Sequence, residues 1–172
     1  MTAAGQAGQL LPGSDGSAAT LFRLATLNSA YAAALDSDRL EAWPDFFEPH
    51  CLYKITSAEN YRQGHEAGII YADTRAMLAD RVSSLRRANI YERQSYRHII
   101  GMPVVVSAAG MEIVAETPFV VIRTMRDGRM DLFAAGVYRD RVRANDDQPW
   151  RFAERVVVCD SGRFDTLVAI PL

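Results

Sequence analysis

The sequence predicts an α+β fold, in which helices come first and one long, curved antiparallel sheet follows. Apolar residues recur at three- and four-residue spacing through residues 20–47, as they do on the buried face of a helix. Beyond residue 95 the chain consists of long β-rich runs separated by short turns of the kind that join hairpins. Helical and β segments that follow one another in this order are typical of α+β layer architectures.

The composition predicts one domain behind a short tail. Residues 1–19 are rich in Gly, Ala, Ser and Gln and contain little to bury, so we expect a flexible N-terminal tail. A chain of 172 residues is long enough to bury a single core, which assigns residues 20–172 to one domain.

The first helices are expected to form a hairpin. The helical pattern begins at Thr20 and stops at Asp36, which is interpreted as a helix cap. Asp38 is predicted to cap a second, short helix, with Glu41 as its partner in a capping box. Pro44 should distort or end that helix.

The middle of the chain predicts a strand, a loop and a third helix. Cys51–Thr56 is interpreted as the first strand and 57–68 mostly as loop, and Asp73 is predicted to cap the third helix. Four apolar residues of this helix are expected to face inward: Met77, Leu78, Val82 and Leu85. Its arginines are expected to face solvent: Arg75, Arg81, Arg86 and Arg87.

Four strands are predicted after the third helix, and consecutive hairpins would make them an antiparallel meander. Asp127-Gly128 lies between two of them and is a strong hairpin signal. The strands are Tyr96–Ser107, Met111–Arg126, Arg129–Arg143 and Trp150–Asp160. A sheet of long hairpins wrapped over a helical hairpin and a third helix gives a cone with a cavity, the nuclear-transport-factor-2-like (cystatin-like) fold.

Charge and hydropathy exclude several partners. A net charge of −2 does not favour nucleic acid or an anionic membrane. No apolar run approaches the ~20 residues of a membrane span, and the N-terminus lacks the pattern of a signal peptide, so a cytoplasmic protein is expected. Cys51 and Cys159 are expected to be two buried thiols. The three histidines are scattered singly, so the sequence contains no pattern typical of a metal site.

Several polar residues could act inside such a cone. Isomerases and dehydratases with this shape use a carboxylate or histidine as general base and a tyrosine or acid to hold the oxyanion. The possible contributors are Tyr31, Asp36, Tyr53, His98 and Asp140. Each also has a structural interpretation, since Asp36 can cap a helix and Tyr31 can lie in the core with its hydroxyl bonded. A free-standing dehydratase or isomerase is therefore the alternative function.

Other residues predict a protein interface. Arginines and tyrosines, which are enriched at interfaces, are dense from the third helix to the next strand. The apolar sequence that ends at Leu172 must bury itself on its own domain or on a partner. The interface candidates are Arg81, Arg86, Arg93, Tyr96, Arg97, His98 and Leu172.

The order and spacing of short segments resemble the small (β) subunits of Rieske-type aromatic-ring-hydroxylating oxygenases. The segments are Leu35–Asp38, Trp43, Phe46–Phe47, Asp80–Val82, Leu85, Arg97–Ile99, Thr117–Val121, Arg123, Gly136, Asp140 and Glu154–Asp160. The stretch Ala88–Gly101, with Trp43-Pro44, Asp165–Leu167 and Pro171-Leu172, resembles the terephthalate dioxygenase branch, to which salicylate 5-hydroxylase and anthranilate dioxygenase small subunits are near. The Pro171-Leu172 ending departs from the pair of phenylalanines that is commoner in the family.

The resemblance implies a non-catalytic structural subunit without catalytic, metal or cofactor residues of its own. The implied large-subunit (α) partner holds a 2Fe–2S Rieske cluster and a mononuclear Fe(II), and electrons reach it from NADH through a reductase. The implied assembly is an α3β3 hexamer, which this chain would brace through the segment Asp73–His98, the sheet edge and the C-terminal residues. The implied reaction is the dihydroxylation by O2 of an aromatic carboxylate, such as terephthalate.

Overall fold

The computed structural model describes residues 17–65, 68–88, 94–145, 147–162 and 170–172. Its helices are α1 (Ala18–Asp36), a 3-10 helix (Leu40–Phe46), α2 (Ala58–Arg62) and α3 (Arg75–Ala88). Its strands are β1 (Phe47–Ser57), β2 (Ile70–Thr74), β3 (Gln94–Ile100), β4 (Val104–Ala109), β5 (Glu112–Met125), β6 (Met130–Arg143) and β7 (Arg151–Cys159). The predicted α+β class, with helices against one long curved sheet, is confirmed.

Helix α1 begins two residues before the predicted start at Thr20. The Ser17 hydroxyl caps it by accepting a hydrogen bond from the Thr20 main-chain N at 3.2 Å. Leu24, Tyr31 and Leu35 recur on one face and are buried. Residues 1–16 lie outside the described residues, so the division into a tail and one domain stays a prediction.

The capping box predicted at Asp38 and Glu41 is wrong. Arg39 occupies the N-cap position of the 3-10 helix without a side-chain cap, and Asp38 adopts a left-handed conformation with a φ of 56°. Both carboxylates instead accept hydrogen bonds from Arg86 of α3, with Nη1–Oδ1 of Asp38 at 2.9 Å and Nε–Oε1 of Glu41 at 2.7 Å. A guanidinium from another helix offers these acids stronger, charge-assisted bonds than the helix's own N–H groups do.

The segment before α3 contains two elements that the sequence patterns did not predict. The short helix α2 lies in the expected loop, and Asp73 belongs to strand β2. The hydroxyl of Thr74, not the carboxylate of Asp73, accepts the bond from the Met77 main-chain N at 3.3 Å. A five-residue strand and a five-residue helix are too short to produce a clear hydrophobic period.

The faces of α3 agree only in part with the prediction. Leu78 and Val82 are buried and Leu85 is half-buried, but Met77 faces outward with 40% of its surface exposed. Arg75 is half-buried because its guanidinium donates to the main-chain oxygen of Phe47.

The sheet has the order β2-β1-β7-β6-β5-β3, with β4 paired to β5 beside β3. The predicted Asp127-Gly128 hairpin joins β5 to β6, and Gly128 supplies the positive φ of 87° that the turn needs. The strand predicted over Tyr96–Ser107 is two strands, because the chain leaves the ladder at Gly101–Pro103. β3 and β4 then pair with successive parts of β5.

One pairing corrects the expectation of a wholly antiparallel sheet. β7 pairs in parallel with β1, in a register that runs from Leu52 opposite Glu154 to Ser57 opposite Cys159. β7 therefore lies between β1 and β6, and the inward-facing residues of these three strands point into one interior. Tyr53, Tyr138 and Arg155 are fully buried there.

Gly136 supports the β6–β7 pairing by having no side chain. A Cβ at this position would lie 3.0 Å from Cα of Cys159 and closer still to the main-chain oxygen of Val158. We expect Gly136→Ala to lower the free energy of unfolding by about 2 kcal/mol, as overpacking of a closed interior does. Urea denaturation measures this change.

Gly162→Ala is the matched control, because the nearest atom to its Cβ would be Ser57 Cβ at 3.9 Å. The control should change stability by less than about 0.5 kcal/mol. Equal stability of the two variants would contradict the packing argument.

Candidate functional site

The interior of the curved sheet is filled by a hydrogen-bonded group centred on Leu172. The Tyr31 hydroxyl donates to the main-chain oxygen of Leu172 at 2.7 Å, and the Tyr53 hydroxyl donates to the same oxygen at 3.0 Å. Trp43 Nε1 donates to the Tyr31 hydroxyl at 3.1 Å, and Leu172 N donates to the Tyr53 hydroxyl at 3.1 Å. All four residues are fully buried. Of the two alternatives for Leu172, burial on its own domain or on a partner, the structure shows the first.

A buried guanidinium lies beside this group. Arg155 of β7 donates to both carboxylate oxygens of Asp140 on β6, at 2.8 and 2.7 Å, and to the side-chain oxygen of Asn28 on α1. Its Cζ lies 4.3, 4.2 and 3.8 Å from the ring centroids of Tyr31, Tyr138 and Phe152. Cation–π contacts and charge-assisted bonds together offset the cost of removing this charge from water.

Burial controls the ionisation of the interior groups. Desolvation raises the pKa of Asp140, which Arg155 opposes, and Asp140 in turn raises the pKa of Arg155. Desolvation also raises the pKa of Tyr31 and Tyr53 above the ordinary value, so both hydroxyls stay protonated and act as donors near neutral pH.

A second buried pair joins α1 to β3. His98 Nδ1 lies 2.6 Å from a carboxylate oxygen of Asp36, and the His98 main-chain N donates to the other at 3.0 Å. The sequence-based interpretation of Asp36 as a helix cap is therefore wrong, because its carboxylate binds His98 of the neighbouring strand. His98 therefore joins β3 to α1.

The residues considered for catalysis are thus all hydrogen-bonded to other residues of the chain. Asp36 holds His98, Asp140 holds Arg155, and Tyr31 and Tyr53 hold Leu172. The sequence suggested these residues one at a time. It did not identify Arg155 and Asn28 as members of the buried group. An arginine in a strand gives no sequence signal that distinguishes burial from exposure.

The interface candidates lie in different environments. The side chain of Arg97 is 73% exposed and 3.8 Å from Asp36, whereas Arg86 is half-exposed and engaged by Asp38 and Glu41. Arg81 is half-buried. Tyr96, His98 and Leu172 are buried within the chain. Arg93 lies outside the described residues, and contact with a partner stays a prediction for all seven.

Exposed apolar side chains mark the sheet edge formed by β3 and β4. Ile99, Met102, Val104 and Val106 have between 49% and 66% of their surface exposed. No charged residue occurs from Gly101 to Met111. The sequence implied a contact at the sheet edge but did not identify these residues, because a run of valines is equally typical of a buried strand.

A separate pocket has a volume of about 610 Å3. It is lined by α1, the 3-10 helix and the segment before β7, and Phe22, Phe46 and Trp150 supply its apolar walls. Arg23 lies over the Trp150 ring at 4.9 Å.

No group of three or more metal-ligating side chains comes together within the part of the chain that the structure describes. Cys51 and Cys159 are free and buried, as expected. Among the helices of the described residues, none is long and apolar enough to cross a membrane.

Comparison with known proteins decides the family. Residues 30–166 match the family model described as the ring hydroxylating beta subunit. This chain belongs to that family. Two subunits of terephthalate 1,2-dioxygenase from Comamonas sp, terminal oxygenase component subunits beta 1 and beta 2, are each 47% identical to it over 88% of this chain and 97% of theirs.

Two further relatives support the same family assignment. The anthranilate 1,2-dioxygenase small subunit of Burkholderia cepacia is 39% identical over 89% of this chain and 94% of its own. The crystal structure of a beta subunit assigned to an aromatic-ring-hydroxylating dioxygenase of Novosphingobium aromaticivorans matches with a TM-score of 0.83 and 35% identity, covering 92% of this chain and 100% of that one. This beta subunit is therefore the non-catalytic partner in an aromatic-ring-hydroxylating dioxygenase, and the predicted cone fold is confirmed.

The ion pair of Asp140 and Arg155 predicts a large mutational effect. Asp140→Ala leaves a fully buried guanidinium without its charge partner, so we expect the free energy of unfolding to fall by about 3–5 kcal/mol. Chemical denaturation of the beta subunit measures the loss. Glu154→Ala is the control, because Glu154 pairs with the half-exposed Arg141 on the outer face and should cost only about 0–1 kcal/mol. Similar losses in the two variants would contradict the argument.

The Arg86 cluster predicts a pH dependence. Hydrogen bonding to Arg86 lowers the pKa of Glu41 from 4.5 to about 2. Between these values the unfolded chain binds more protons, so the stabilisation is complete above pH 4.5 and is lost as the pH falls to about 2. Glu41 is exposed, so we expect Glu41→Gln to cost only about 0.2–1 kcal/mol near neutral pH. Urea titrations of both proteins should give that difference above pH 4.5 and none near pH 2, and a constant difference would contradict the assignment.

Proposed function

We propose that this beta subunit braces the α3β3 hexamer of an oxygenase that dihydroxylates terephthalate. The observation that carries the proposal is the 47% identity to two terephthalate 1,2-dioxygenase beta subunits over 97% of their length. The anthranilate relative, at 39%, also acts within a complex named for an aromatic carboxylate. An aromatic carboxylate is therefore the proposed substrate class, and terephthalate is the proposed member of it.

The chemistry of the reaction belongs to the large subunit in this proposal. A Rieske cluster needs a cysteine and histidine ligand set, and a mononuclear iron needs two histidines and a carboxylate. In this chain the buried acids and the buried histidine are bonded to each other or to arginine. We therefore assign the 2Fe–2S cluster and the Fe(II) to the large subunit. NADH supplies the electrons through a reductase, and the complex works in the cytoplasm.

Two surfaces are suited to the bracing role. One is the outer side of β3, where Arg97 is exposed and its Nη1 lies 3.8 Å from a carboxylate oxygen of Asp36. The other is the β4 edge, where Val104 and Val106 are exposed. An uncharged, apolar edge strand left in solvent recruits other chains, so natural proteins keep such edges short or cover them. A large subunit placed over β3 and β4 would cover both surfaces.

Co-expression with the large subunit encoded beside this gene tests the function. Light scattering should give the mass of three large and three small subunits. The complex, supplied with its reductase and NADH, should consume O2 with terephthalate faster than with salicylate or anthranilate. A large subunit that is trimeric and fully active without this chain would refute the bracing role. Preference for another aromatic acid would refute only the substrate.

Charge placed on the proposed surfaces should prevent assembly. We expect Arg97→Glu and Val106→Asp each to reduce recovery of the hexamer at least tenfold, because interface burial of a new charge is costly. Size-exclusion chromatography of the co-expressed subunits measures recovery, and circular dichroism verifies that the variant folds.

Arg62→Glu is the matched control. Arg62 lies on α2, which packs on β1 and β7, away from the β3 and β4 edge. The control should assemble normally. Unchanged assembly of Arg97→Glu and Val106→Asp would remove this edge from the proposed interface.

A further inference from the structure

The contacts of Leu172 have the geometry of a ligand in a binding site. Two phenolic hydroxyls, from Tyr31 on α1 and Tyr53 on β1, converge on its main-chain oxygen at 2.7 and 3.0 Å. The two donors precede Leu172 by 141 and 119 residues in sequence, and neither bond belongs to a helix or a sheet ladder. Preorganised donors that point at one oxygen in a water-free interior are a general means of binding carbonyl-type oxygens.

The donors are themselves held in place. Trp43 Nε1 donates to the Tyr31 hydroxyl, which orients its proton toward Leu172. Arg155 lies 4.3 Å from the centroid of the Tyr31 ring, so a positive charge lies behind this donor. The Tyr53 hydroxyl contacts both the N and the O of Leu172. None of these hydrogen bonds uses the apolar side chain of Leu172.

The walls of the site are aromatic. The ring of Trp43 lies edge-on to Tyr53 with centroids 5.0 Å apart, and Phe47 packs against both, at 5.9 Å from Trp43 and 5.7 Å from Tyr53. Phe152 lies 5.8 Å from Tyr31 on the other side. Rigid aromatic walls around a few polar donors are typical of small-molecule sites. This site is filled by a segment of the chain, Ile170–Leu172, that belongs to no helix or strand.

We propose that Tyr31, Tyr53 and Trp43 form a binding site for a carbonyl-type oxygen carried on a small branched apolar body, and that Leu172 occupies this site in cis. The ligand class is a small amide or carboxylate, because both present an sp2 oxygen to two hydroxyl donors. The segment Ile170–Leu172 must leave before an external ligand enters. This inference does not rest on the assembly role.

Leu172→Asp in the full chain opens the site, because an unpaired carboxylate is excluded from the aromatic interior. Isocaproamide and isocaproate each reproduce the leucine side chain with its carbonyl carbon, one neutral and one anionic. Isoamylamine has a similar apolar body without an acceptor oxygen. We expect the amide, the acid or both to bind the variant saturably in calorimetry and to raise its melting temperature by about 5 °C at saturation. Whichever of isocaproamide and isocaproate binds more tightly identifies the charge state that the site prefers, neutral or anionic.

Control variants separate this site from adventitious binding. Leu172→Met keeps a buried apolar residue and should bind none of the three compounds. Adding Tyr31→Phe or Tyr53→Phe to Leu172→Asp should weaken the amide or acid at least tenfold, because each removes one donor. Equal binding of the amine, or binding that ignores both tyrosine substitutions, would overturn the proposal. So would a folded Leu172→Asp protein that binds neither oxygen compound.

If Leu172→Asp does not fold, the unaltered chain provides the test. A high concentration of isocaproamide or isocaproate should compete with Leu172 and speed hydrogen exchange of its main-chain N–H, which the Tyr53 hydroxyl protects. Exchange should rise with ligand concentration and stay constant with isoamylamine. Exchange that does not change with either oxygen compound would overturn the proposal.

Discussion

The fold depends on one buried positive charge. Arg155 has no exposed surface, and it joins β7 to Asp140 on β6 and to Asn28 on α1. A guanidinium is planar and presents its donors in fixed directions, so it can bind a carboxylate along one edge while aromatic rings cover its faces. Its partners come from the helix and from two strands, and the charge can be buried only when all three are in place. A partly formed interior would leave it uncompensated, which favours a single arrangement of the helix on the sheet.

The same aromatic rings link this charge to the Leu172 group. Tyr31 covers one side of Arg155 with its ring and binds Leu172 with its hydroxyl. The ion pair and the occupied interior are therefore one connected unit. The closed interior fixes α1 against the sheet, through Asn28 and Tyr31. The outer surface of the sheet is then free to contact the large subunit.

The sequence predicted the class and the main elements because these depend on long periodic segments. Helix α1 and strands β5, β6 and β7 were each found within two residues, and the Asp127-Gly128 turn was located correctly. The errors arose where a side chain had a distant partner. Asp36 and Asp38 looked like caps because their local sequence allows capping, but His98 and Arg86 compete successfully for them. The parallel pairing of β1 with β7 left no local signal, since both strands have the composition of antiparallel ones.

The interior site was predictable only as a set of candidates. Tyr31, Tyr53, His98 and Asp140 were recognised as polar residues in apolar surroundings, but which of them meet depends on sheet order. Arg155 and Asn28 could not be recognised as members of this site, because an arginine in a strand and an asparagine in a helix usually face solvent.

The place of β7 has a consequence for how the chain folds. It is the last strand of the described residues, yet it lies between β1 and β6, and its partner in β1 precedes it by roughly one hundred residues. During synthesis β1 and β6 each keep one hydrogen-bonding edge unpaired until β7 leaves the ribosome. Arg155 is carried on that same strand, so the ion pair forms at the same late step. Folding therefore cannot be completed before β7 has been made, and a chain released before β7 would present two unpaired edges to chaperones and proteases.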